Sequence, residues 1–134
     1  MIKWRGQVSS AIRGKRGQNL LTQLLAALDA MPEKRLIREE LEQDGEVCTL
    51  GALGKVRGID MTDLDPDDPD GVAAVFDVAP QLVQEIVYMN DEYNEFTYEV
   101  VGGRSVRRDI SPEQRWKNMR AWVASKINPA TETA

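Results

Sequence analysis

At 134 residues with 17 basic and 22 acidic side chains and a net charge of -5, the chain is long enough to bury a core without metals or disulfides and too charged for a membrane-spanning one. The absence of histidine removes the commonest general base and transition-metal ligand, so Ser-His, Cys-His and zinc chemistry are excluded within the chain. A single cysteine rules out an internal disulfide and fits a reducing cytoplasm.

The first residues, Met1-Ile2-Lys3-Trp4-Arg5, lack the apolar centre of a signal peptide. No apolar run approaches the ~20 residues of a spanning helix, so a cytoplasmic protein without membrane contact is expected. Ser9 to Lys15, loosened by Gly14 and Gly17, reads as a short turn or a frayed extension of the helix that follows. That helix is expected from about Arg16 to Ala30, because Leu20, Leu21, Leu24, Leu25 and Leu28 recur at three- and four-residue spacing and Pro32 stops it. Glu33 to Glu42 fits a second short helix through Leu36, Ile37 and Leu41. A strand leading into a hairpin at Asp44-Gly45 is the alternative.

Asp44 to Asp60 holds the lone Cys48 and the densest run of small and apolar residues. Val47, Leu50, Leu53 and Gly54 share a helical face, Gly51, Ala52 and Gly54 allow close approach of another element, and Gly58 is placed for a left-handed cap. The stretch reads as the central packing helix, with Cys48 a buried small hydrophobe. Met61 to Gly71 is a loop by its prolines and aspartates. Short helices follow at about Gly71–Phe76 and Pro80–Asn90. Glu95 to Val101 alternates like a half-buried strand, Gly102-Gly103 makes a two-residue turn, and Arg104 to Arg108 returns. An isolated hairpin is marginal, so this one must lie on the helices or pair with another chain, which makes it a route to a homo-oligomer. Ser111, Pro112 and Gln114 then open a last helix, with Trp116, Met119, Val123 and Ile127 as its apolar face. The expected fold is mainly α (α+β): one compact domain over residues 1–128, about five helices with one hairpin near 95–108, and a flexible tail at 129–134.

Two charged groups are candidate binding surfaces. Arg13, Lys15 and Arg16 precede a helix N-terminus, where an anion could sit, although Walker-loop spacing is absent. Arg104, Arg107 and Arg108 on the hairpin could extend a basic patch. The loop aspartates Asp63, Asp65, Asp67, Asp68 and Asp70 form the acidic counterpart. They fail the calcium-loop template, since counting from Asp63 puts Asp68 at the sixth position and Ala74 at the twelfth. No metal, cofactor or catalytic residue is assigned. The plainer alternative is that the basic termini fold back on the acidic middle. Val72 to Ile86 resembles a DNA-binding helix-turn-helix, with Asp77 at the usual turn glycine and no Arg or Lys on the reading helix.

Three features in order carry a broader resemblance: D-G-E-V-C-T-L-G-A-L (Asp44–Leu53), a helix ending in Met89-Asn90-Asp91, and a Trp-bearing terminal helix. Their order is similar to that of small uncharacterised bacterial and phage proteins with a G-x-V-C-A-L-G-A-L core and an N-D helix end. Arg13 to Asp60 resembles hypothetical proteins of phages and prophages. The resemblance implies a small phage-encoded accessory protein and carries over no catalytic residue. The leading expectation is a non-enzymatic protein that binds a host or defence-system protein, as an inhibitor would. The alternative is a nucleic-acid or nucleotide-binding accessory protein using the N-terminal and hairpin arginines.

Overall fold

A computed structural model describes residues 2–93 and 95–128; the tail expected at 129–134 lies outside them. The chain is mainly α, with six α-helices and two small antiparallel hairpins among the described residues. Helix α1 (Ile2–Arg13) runs into α2 (Lys15–Ala30), and a hairpin of β1 (Glu42–Gln43) and β2 (Glu46–Val47) leads to α3 (Thr49–Arg57). Helices α4 (Pro69–Phe76) and α5 (Pro80–Tyr88) follow, and α5 widens into a π-helical turn at Met89–Tyr93. The second hairpin, β3 (Phe96–Val101) and β4 (Arg104–Asp109), precedes α6 (Pro112–Lys126). No single helix is long and apolar enough to cross a membrane.

The leucine stripe behaves as its spacing requires: Leu20, Leu21, Leu24 and Leu28 are fully buried and α2 forms the centre of the core. Leu50 and Leu53 of α3, Phe76, Leu82 and Ile86 of the α4–α5 pair, and Met119 and Val123 of α6 close around it. Gly58 ends α3 in a left-handed cap at φ 70°, and Ser111 Oγ accepts from Gln114 N at 3.0 Å to start α6.

Two expectations are corrected. The turn or frayed extension at Ser9–Lys15 is instead the end of a full helix, α1, which brings the helices to six. Gly14 is the break: it caps α2 with ψ 162° while its own N–H still bonds Ser10 O. At Gly17 a Cβ would run into the Ala11 carbonyl, so glycine sets how closely the two helices cross. The second short helix over Glu33–Glu42 is absent, and the alternative, an approach to a hairpin, is what forms. Backbone bonds explain the outcome. Leu36 N goes to Pro112 O, Ile37 N to Val47 O and Cys48 N to Leu41 O, at 2.9 to 3.1 Å. The segment spends its polar groups on its neighbours rather than on its own preceding turn. Asp44 (φ 53°) and Gly45 (φ 82°) make the tight turn between β1 and β2.

Helices α4 and α5 meet at 108° around Asp77, which takes the left-handed conformation a turn glycine would. The pair therefore has the helix-turn-helix bend. Its second helix is spent on the core, with Leu82, Val83 and Ile86 fully buried.

Candidate functional site

A groove of about 1050 Å³ lies between α1, α5 and the segments that flank them. Val8, Ser9 and Ile12 of α1 form one wall, and Val83, Val87 and Tyr88 of α5 form the other. The rim is acidic. Glu39, Glu40, Asp67, Glu85, Asp91 and Glu92 reach it, against the two cations Arg38 and Lys126. Among the described residues, Glu40, Asp67, Glu85, Asp91 and Glu92 are in no ion pair. Tyr88 and Tyr93 stand on the same rim, the latter 65% exposed. An acidic trough with tyrosines is suited to a cationic partner.

A buried polar node adjoins this groove through Asp91 and Glu39. Asn90, almost fully enclosed, accepts from both Thr49 N (3.1 Å) and Thr49 Oγ1 (2.8 Å), so its amide oxygen caps the start of α3. Its Nδ2 donates to Ile37 O at 2.9 Å and to Asp91 Oδ1 at 2.7 Å. Asp91 Oδ1 in turn accepts from Glu39 N at 3.1 Å, which holds Glu39 in the left-handed region at φ 73°. From the other side Arg115 donates Nε to Asn90 O (3.0 Å) and Nη1 to Leu36 O (3.2 Å). Burial first, and then the neighbouring Arg38 charge, lowers the Arg115 pKa from its ordinary value. The π-helical turn makes this possible, because the extra residue lets Asn90 point inward while Asp91 and Glu92 reach the rim. Arg38 spans the back of the groove, with Nη1 3.7 Å from Glu95 and Nη2 3.6 Å from Glu39, while its buried Nε has no hydrogen-bond partner.

The acidic loop does not act as one unit. Asp65 Oδ1 accepts from Asp67 N at 2.8 Å, and Asp68 Oδ1 accepts from Gly71 N as the cap of α4. Of Asp63, Asp65, Asp67, Asp68 and Asp70, all exposed, only Asp67 lines the groove. No group of three or more acidic or cysteine residues able to hold a metal occurs among the described residues.

The candidate basic residues fall into separate groups. Arg13, Lys15 and Arg16 are exposed at the α1–α2 junction, and Arg16 lies 3.5 Å from Asp77. On the hairpin, register places Arg107 opposite Tyr98 on one face, and Arg104 and Arg108 opposite Val101 and Thr97 on the other. Arg107 sits 4.0 Å over the Phe96 ring, and Arg108 is 3.7 Å from Glu99. The basic terminal helix pairs instead with α2, through Arg120 Nη2 at 3.0 Å from Asp29 Oδ2. Cys48 is buried, its Sγ accepts from Gly51 N at 3.4 Å, and burial pushes its thiol up to about 11. It is a packing and capping residue without a reactive thiolate.

Sequence reasoning missed the groove because its carboxylates come from four separate places in the chain. The nearest available signal was Asn90-Asp91-Glu92, three polar groups closing an apolar helix. No protein-family model matches the chain, and neither a curated protein nor a solved structure matches it.

Proposed function

We propose that this is a non-enzymatic binding protein whose acidic groove receives a positively charged segment of another protein. The observation that carries the reading is the groove itself, with five carboxylates in no ion pair among the described residues on a rim that also offers two tyrosines. Such a surface attracts Lys- or Arg-bearing chains by complementarity and repels phosphate backbones. The motif resemblance adds a context, a phage-encoded accessory protein acting on a host or defence-system protein in the host cytoplasm.

The test starts from capture in a bacterial host, followed by reconstitution of the complex from purified components. Glu85→Lys with Glu92→Lys should weaken the reconstituted complex at least about tenfold, while Arg104→Glu with Arg108→Glu should leave it unchanged. Equal affinity for wild type and groove variant would overturn the proposal. DNA or RNA binding that is lost on neutralising Arg13, Lys15 and Arg16 would instead install the nucleic-acid reading.

A further inference from the structure

The β3–β4 hairpin stands out from the helical body with both long edges open. Among the described residues no third strand pairs with either edge. Tyr98 is 69% and Val100 77% exposed, a costly display of apolar surface on a strand that carries no lysine or proline to discourage pairing. Residues alternate between inward and outward backbone groups along such a ladder. The two-residue turn at Gly102-Gly103 (φ 58° and 76°) and the bond from Ile110 N to Glu95 O fix the phase. Glu95, Thr97, Glu99 and Val101 bond across the hairpin. Phe96, Tyr98 and Val100 therefore turn their N–H and C=O groups outward from the β3 edge.

We infer that β3 pairs antiparallel with β3 of a second copy of this chain, about a two-fold axis at Tyr98. A two-fold axis perpendicular to the sheet keeps each face on its own side, so its centre must lie on a residue. Three centres are available near the middle of the strand. Centring on Glu99 sets the two Glu99 carboxylates directly opposite each other. Centring on Thr97 sets Glu95 opposite Glu99. Both oppose like charges. Centring on Tyr98 pairs Tyr98 with Tyr98, Phe96 with Val100 and Thr97 with Glu99, with no like-charged pair. It also matches every outward backbone group on Phe96, Tyr98 and Val100 with an outward group on the second copy. On one face the row reads Arg107, Tyr98, Tyr98, Arg107, so the two tyrosines meet at the centre of the seam with a cationic side chain outside each. The opposite edge offers no equal solution, because β4 would crowd Arg104, Arg107 and Arg108 of both copies into one seam. The seam is short, so the dimer is a weak, concentration-dependent one.

Sedimentation of the full chain over a dilution series reads the assembly, and three cysteine variants read the register. Wild type should shift from dimer to monomer on dilution. Val100→Pro should be monomeric throughout with an unchanged circular dichroism spectrum, since the Val100 N–H is not part of the hairpin's own ladder. Under mild oxidation Tyr98→Cys should cross-link between copies. Thr97→Cys and Glu99→Cys should not, because their counterparts lie beyond disulfide reach. Cys48 is buried and does not compete. A wild type that stays monomeric at its highest soluble concentration overturns the inference. So does a dimer that survives Val100→Pro, or cross-linking that favours 97 or 99.

Discussion

Asn90 satisfies two donors of the fully buried Thr49 at the head of α3 and one carbonyl of the incoming segment. Truncating it strands those groups. Asn90→Ala should therefore destabilise the fold by about 2–4 kcal/mol, read as a lower denaturation midpoint with an unchanged slope. Arg115→Lys keeps the charge but loses the planar fork that reaches two carbonyls at once, and should cost about 1–3 kcal/mol in the same assay. Cys48 makes a statement about pH. Its thiol is raised by burial from the ordinary 9.0 to about 11, so above pH 9 the unfolded chain holds fewer protons than the folded one. Stability should be flat in this respect below pH 9 and fall as pH climbs toward 11, by up to about 1.4 kcal/mol per pH unit. Alkylation at pH 8 should be slow in the folded protein and fast in denaturant.

The glycines of α3 are alike in sequence and different in space. A Cβ at Gly51 would meet the backbone carbonyl of Leu41, whereas one at Gly54 would meet the flexible thioether of Met61. Gly51→Ala should cost about 1–3 kcal/mol and Gly54→Ala markedly less, a ranking that paired thermal melts can check. That α3 would be tightly packed was legible from its small residues. So were the leucine stripe, the Ser111 cap and the glycine turn of the second hairpin, because each is a local signal. What escaped was non-local. Among its described side chains, helix α1 buries Val8 and packs Ala11 and Ile12 against the core, too faint a stripe to read against Gly6 and Gly14. The Glu33–Glu42 segment carries helical spacing, yet its backbone partners are Pro112 and Val47, which no local pattern announces. The groove was hidden for the same reason, and the conspicuous aspartate run proved to contain turn and cap residues beside one rim residue.

At the scale of the molecule, charge is sorted more finely than the sequence blocks suggest. Basic residues of the termini reach acidic partners singly, Arg16 with Asp77 and Arg120 with Asp29, while the groove keeps its excess of carboxylates. Partner binding at the groove should accordingly weaken as salt rises, whereas the pairing of β3 edges, which joins no opposite charges, should be nearly indifferent to it. Titrating sodium chloride in each assay separates the two surfaces.

The Arg115 node also dictates when the chain can finish folding. Its three contributors lie at positions 36, 90 and 115, and Leu36 N bonds Pro112 O besides. Until α6 leaves the ribosome, the carbonyls of Leu36 and Asn90 have no donor and the segment before β1 has no anchor. A chain stalled ahead of Pro112 should thus remain loosely packed, with helical far-ultraviolet ellipticity but little near-ultraviolet signal. Closure of such distant contacts is slow relative to helix formation, so the vulnerable interval during synthesis lasts until α6 has emerged.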